Sequence, residues 1–166
     1  EDHKSNLFVG TREGLYKFDA ETNIFSNLYI ENEKLRDNLG PYFISVARAP
    51  DGVYWVGTLG GLLECNQLED IAKGNFKWYY SELSDNTSLN DNLIYALYFD
   101  NSGVLWIGTD DGLDKYDPYE NQFKINKDIS KYIDYKAPRI RGFTKTYDDK
   151  VIVATRHHGL FLYQEN

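Results

Sequence analysis

Short runs in which apolar and polar residues alternate recur along the whole chain, each bounded by Gly, Asp, Asn or Ser. Alternation has the two-residue period of a β-strand, whose successive side chains fall on opposite faces of a sheet, and turn residues mark where the chain reverses. Between positions 94 and 125 the runs are 94–99, 104–109, 113–116 and 122–125, separated first by Asn101-Ser102-Gly103 and then by Asp110-Asp111-Gly112. The same reading gives 43–48, 53–58, 62–65 and 76–80 earlier in the chain, with a helical turn over 68–72. Four short strands in succession predict one small antiparallel sheet.

The sheet recurs. Leu7–Asp19, Tyr54–Asn66 and Leu105–Asp117 align without gaps, and Val151–Tyr163 follows with one extra residue. The small residue before each Thr stands at Gly10, Gly57, Gly108 and Ala154, with spacings of 47, 51 and 46 residues. That is the length of a propeller blade, a unit that buries its apolar faces only against neighbouring blades. The expected fold is therefore all-β: a β-propeller of four-stranded antiparallel blades, here an incomplete arc of about three and a half blades, with units near 1–30, 42–81, 93–126 and 139–166. The alignment starts Glu1 partway through a blade, and only Gln164-Glu165-Asn166 follow Tyr163, so two complete blades are expected between two that each lack a strand. Faces left bare at both ends would be aggregation-prone, so the arc is expected to join the remainder of a propeller or a second copy. Gly14, Gly61, Gly112 and Gly159 each close the link between second and third strands, where positive φ excludes a β-carbon. Phe8, Trp55, Trp106 and Ile152 share one repeat position and are expected to pack between blades.

Composition narrows the function. The chain has 166 residues with 16% aromatics and 4 Pro, which favours strands and argues against disorder. Its 26 acidic against 18 basic residues give a net charge of -8, which disfavours phosphate backbones and excludes nucleic acid as a partner of this segment. No apolar run approaches the roughly 18 residues of a membrane span, so no membrane contact is expected of it. The lone Cys65 cannot form an intrachain disulfide, and without Met or a leader-like start the chain reads as excised or processed.

The run Leu105-Trp106-Ile107-Gly108-Thr109-Asp110-Asp111-Gly112-Leu113-Asp114-Lys115-Tyr116-Asp117-Pro118, preceded by 86–94 and by Asp100-Asn101-Ser102-Gly103, resembles the two-component regulator propeller repeat. The first and second units keep its Gly-Thr and Gly-Leu pairs, although the second ends in Glu64-Cys65-Asn66 where the family has a basic residue, Tyr and Asp. The fourth departs further, with Ala154 for Gly and an added His in His157-His158. The resemblance implies a periplasmic sensor region of a Bacteroides-type hybrid two-component histidine kinase, extracytoplasmic and responsive to glycan fragments, with the signalling chemistry elsewhere in the parent chain. A propeller enzyme acting on polysaccharide, such as a lyase, and a protein-interaction scaffold are the alternatives, because one fold serves many functions.

Ligands of propellers approach the face built by the loops between second and third strands and between blades. The candidates there are Arg12, Tyr42, Asp110, Asp111, Arg139, Arg141, Arg156, His157 and His158. The arginines suit bidentate contacts to carboxylates or sulfates of an acidic oligosaccharide, which is the expected ligand. Trp78, Tyr79, Tyr80 and Tyr132 are aromatic positions near loops whose default role is packing. His157 and His158 are neighbours on an extended chain and point apart, and Asp110-Asp111-Gly112 lacks the spaced carboxylates of a calcium loop, so no metal is expected. No nucleophile elbow, phosphate loop or cofactor motif occurs, so no catalytic residue and no cofactor are assigned.

Overall fold

A computed structural model describes residues 6–28, 30–40, 42–118, 120, 122–125, 138–148 and 150–163. Most of the 127–138 link, Tyr132 with it, and both chain ends lie outside the described residues. Four antiparallel sheets follow one another along the chain. The first holds β1 (Leu7–Thr11), β2 (Gly14–Asp19) and β3 (Ile24–Asn27), and the second holds β4 (Phe43–Arg48), β5 (Tyr54–Thr58), β6 (Leu62–Cys65) and β7 (Lys77–Tyr79). The third holds β8 (Ile94–Phe99), β9 (Leu105–Thr109), β10 (Gly112–Asp117) and β11 (Gln122–Ile125), and the fourth β12 (Ile140–Lys145), β13 (Val151–Thr155) and β14 (Leu160–Tyr163). Each sheet orders its strands as they occur in sequence, and the innermost strands β4, β8 and β12 contact one another side by side. This is an arc of a β-propeller, with two four-stranded and two three-stranded blades among the described residues.

Three core clusters occupy the three seams between blades. Leu15, Phe43, Val56 and Leu63 join the first and second blades, Trp55, Leu62, Ile94 and Tyr116 the second and third, and Trp106, Leu113, Ile140 and Val153 the third and fourth. A central strand thus serves two seams. In β5, Val56 faces back to the first blade while Trp55 faces on to the third, and all five residues of β5 and of β9 are buried. Phe8, Trp55 and Trp106 pack onto the following blade as the repeat requires. Ile152, at the same position of the fourth blade, is half-buried.

The Gly-Thr pair now has a physical account. A β-carbon on Gly10, Gly57 or Gly108 would meet the first residues of the next blade's inner strand: the Phe43 carbonyl oxygen at 2.4 Å, Ile94 Cγ2 at 2.6 Å and Ile140 Cγ2 at 2.5 Å respectively. Glycine is needed there because two blades touch, not because the backbone bends. The Thr hydroxyls close the hairpins, with Thr11, Thr58, Thr109 and Thr155 Oγ1 donating to the carbonyls of Gly14, Gly61, Gly112 and Gly159 at 2.9, 2.8, 3.1 and 3.0 Å. Gly112 sits at φ 129°, in the region that an L side chain avoids, and its three counterparts share positive φ.

One element departs from the sequence reading. The link over 31–42, read as loop, contains helix α1 (Glu33–Leu39), whose amino end is capped by Asn32 Oδ1 accepting from the Leu35 amide at 3.1 Å. Leu39 is fully buried against the first seam. At seven residues α1 is too short to hold itself without that contact. The turn expected at 68–72 appears as a 3-10 turn over Leu68–Asp70.

Candidate functional site

The inner strands carry one irregularity each, at the same place. The register of β4 shifts between Phe43 and Ser45, that of β8 between Ile94 and Ala96, and that of β12 between Ile140 and Gly142. The extra residues are Ile44, Tyr95 and Arg141. A bulge of this kind leaves one residue unpaired and re-aims its side chain. All three line a single hollow of about 690 Å³, together with Thr11 and Arg12 from the first blade, Tyr42 and Leu59 from the second and Arg156 from the fourth. The volume lies within the range of about 300–1,000 Å³ usual for small-molecule sites.

Four of the nine sequence candidates meet there: Arg12, Tyr42, Arg141 and Arg156. Three arginines therefore line one concavity in a chain of net charge -8. The Arg141 guanidinium lies 3.6 Å from the centroid of the Tyr95 ring, which fixes its plane by a cation–π contact. Among the described residues none of the three arginines has a carboxylate within ion-pairing distance. Arg156 is tied through its backbone, its amide donating to the Arg139 carbonyl at 3.0 Å.

The other candidates lie outside the hollow. Arg139 Nε pairs with Asp110 Oδ1 at 2.9 Å across the third seam, so each neutralises the other. Asp111 anchors the blade link, its carbonyl accepting from Asn90 Nδ2 at 2.7 Å. His157 and His158 sit exposed on the β13–β14 hairpin, where the His158 amide donates to Thr155 Oγ1 at 3.0 Å. Trp78 donates its indole N–H to the Gly60 carbonyl at 2.9 Å and Tyr80 packs on its ring, so both serve the outer edge of the second blade. Among the described residues no cluster of three or more metal-ligating side chains forms, and no helix is long and apolar enough to cross a membrane. Cys65 is buried, and that burial pushes its thiol up to about 12, far from a reactive thiolate.

Sequence reasoning missed Tyr95 and Ile44. A signal was present: in three units a large apolar residue and a bulge residue precede a small one, as Phe43-Ile44-Ser45, Ile94-Tyr95-Ala96 and Ile140-Arg141-Gly142. It also missed Asp114, which is fully buried. Its Oδ2 accepts from the Asn90 amide at 2.9 Å, while burial, with Asp91 and Asp111 adding repulsion, raises its carboxyl to about 7. Asp91 is raised as well, chiefly by burial and further by the charges of Asp110 and Asp111.

Comparison with known proteins agrees with this fold. Residues 88–111 match the family described as "Two component regulator propeller", so the repeat recognised in the sequence is present. Among solved structures, the extracellular domain of a hybrid two-component system from B. thetaiotaomicron superposes with a TM-score of 0.76 at 24% identity, over 98% of this chain and 22% of that one. A second such domain from the same organism gives 0.72 at 20% identity, over 96% and 20%. Virginiamycin B lyase from Staphylococcus aureus gives 0.62 at 10% identity, over 99% and 53%. These likenesses establish the propeller fold, and the chain spans about a fifth of the length of the two-component domains it matches. No curated protein matches the sequence.

Proposed function

We propose that this chain is a ligand-sensing segment of the extracytoplasmic, periplasmic region of a hybrid two-component regulator, and that it acts by binding rather than catalysis. The carrying observation is the hollow in which Arg12, Arg141 and Arg156 converge beside Tyr42 and Tyr95. Guanidinium forks match carboxylate and sulfate oxygens, and tyrosine rings suit sugar faces, so the ligand class is an acidic oligosaccharide. The hollow draws residues from all four blades, so a bound anion would bias how the blades pack, and a sensor needs such a differential contact. The family match at 88–111 and the resemblance to two-component extracellular domains support the reading. The exposed apolar side chains Leu7 and Val9 on the first blade, and Leu160 and Leu162 on the fourth, fit further blades of one ring as partners.

The test is calorimetric titration of the full chain with trigalacturonate and with its neutral galactose counterpart. Expected is binding of the acid alone, weakening steeply with salt and falling at least about tenfold on Arg141→Ala, a loss of about 1.4 kcal/mol. Equal binding of the neutral sugar, or none of either, overturns the ligand class. Cleavage of the oligosaccharide overturns the non-catalytic reading in favour of a lyase-like propeller.

A further inference from the structure

The 80–93 link carries the chain from the second blade to the third and is fastened to the third blade by backbone amides. The Asn90 amide donates to Asp114 Oδ2 at 2.9 Å, the Asp110 amide to the Leu93 carbonyl at 3.1 Å, and the Phe123 amide to the Thr87 carbonyl at 3.2 Å. Leu89, 2% exposed, seats the link in the core of the second seam. The link runs directly into β8, whose bulge residue Tyr95 supports Arg141 at the hollow.

The Asp114 fastening differs from the other two because its acceptor can titrate. Asp114 is fully buried, and its second oxygen, Oδ1, has no hydrogen-bond partner among the described residues. The charged groups facing it are Asp91 on the link and Asp111 on the β9–β10 hairpin. Its register partners on β9 and β11, Ile107 and Ile125, bring no charge, and β6 enters the same core through Leu62. The nearby ions are otherwise engaged: Glu64 by the Tyr79 hydroxyl and Lys77, Arg139 by Asp110, and Lys115 by the rings of the third seam. Among the described residues Asp114 has no counter-ion.

We propose that Asp114 is a proton-operated latch: the neutral carboxyl keeps the 80–93 link closed on the third blade, and loss of its proton to water lets the link lift. A buried carboxylate with one oxygen unpaired and two like charges nearby is costly. Lifting the link lets water reach that oxygen and gives up the burial of Leu89. Burial raises the closed carboxyl to about 7, with the Asn90 amide working against the rise and Asp91 and Asp111 adding to it. In the lifted form it titrates near the ordinary value of about 3.9. Below that value both forms hold the proton and the latch is at full strength. Between the two values the lifted form alone has released its proton and closure weakens, and above the upper value it weakens no further.

The experiment is amide hydrogen exchange of the full chain, with rates expressed as protection relative to free peptide so that the intrinsic pH dependence cancels. Expected is that protection of the Asn90, Asp110 and Phe123 amides falls at least about tenfold from about pH 5.5 to about pH 8. The Ile107 amide in the central strand β9 stays better protected at both, because the link lifts without the blade unfolding. In Asp114→Asn, which keeps an acceptor but cannot ionise, the fall disappears. Asp91→Asn leaves Asp114 in place and removes one repelling charge, so the fall over the same range is smaller. Constant protection in the unaltered chain, the same fall in Asp114→Asn, an undiminished fall in Asp91→Asn, or link amides as well protected as Ile107 overturns the proposal.

Discussion

At Gly108 the absence of one methyl group decides whether two blades can meet, because a β-carbon there would stand 2.5 and 2.8 Å from Ile140 Cγ2 and Cβ, with Ile140 fully buried. Gly142, by contrast, has open space around an added β-carbon and no positive φ. Gly108→Ala is expected to destabilise the chain by about 1–3 kcal/mol through overpacking, and Gly142→Ala to stay within about 0.5 kcal/mol. Urea denaturation of the two variants checks this, and equal effects contradict it. Asp114 gives a second expectation at this scale. In the unfolded chain its carboxyl titrates near the ordinary value of about 3.9, whereas in the folded chain burial lifts it to about 7. Below the unfolded value both states hold the proton and the group's contribution to stability is fully present. As pH rises through the folded value the unfolded chain has already released its proton, and the contribution is lost. Relative to Asp114→Asn, the unaltered chain should therefore lose stability between about pH 4 and pH 7 and level off above that. A difference that stays flat across the window contradicts the burial assigned to Asp114.

Strands in this chain are paired by simple hairpins, and each hairpin has its own closing device. Between second and third strands it is the Thr hydroxyl on the Gly carbonyl, repeated four times. Between first and second strands the third blade adds Asp100, whose carboxylate accepts from Ser102, Val104 and Trp106. Burial works to raise that carboxyl, yet those hydrogen bonds together carry it below the ordinary value. The bulges shape the hollow, because they place Ile44, Tyr95 and Arg141 in its lining while leaving the seam residues beside them in place. Deleting Tyr95 removes the bulge and lets Ile94 and Ala96 pair with Thr109 and Gly108 as consecutive rungs, whereas Tyr95→Ala keeps the bulge and removes only the ring on which Arg141 lies. In both variants Ile94 stays on the face that packs with Leu97 and Phe99, so similar melting temperatures are expected, and thermal melting of the pair measures it. A much lower melting temperature for the deletion would mean that the bulge itself holds the blade in register.

Across the whole molecule, burial follows how many neighbours a blade has. The second and third blades are covered on both faces, and every residue of β5 and β9 is buried. The first and fourth are covered on one face among the described residues, so Leu7 is 44% and Leu160 72% exposed, while Phe8 and Phe161 on the opposite sides of their strands pack into seams. Each seam holds a separate core cluster, which makes stability a sum of blade and interface terms with only adjacent blades coupled. The hollow is the exception to that locality. It takes side chains from four blades at once, so the group of arginines exists only when the arc is assembled.

Repeat length, strand limits in the second and third blades, the positive-φ glycines and the alternation that builds the seams were all legible in the amino-acid sequence, because each depends on residues close together in the chain. Helix α1 was not, since its seven residues hold through Leu39 meeting a seam rather than through local preference. Nor could the sequence divide the charged candidates. Arg139 and Arg141 are two residues apart, yet one is neutralised by Asp110 and the other rests on Tyr95 above the hollow. The difference arises because a bulge redirects one side chain and because a neighbouring blade delivers the partner of each. Chain-local chemistry fixed the blades, and only contacts between blades decided which charges meet, which are cancelled, and where the seams leave space.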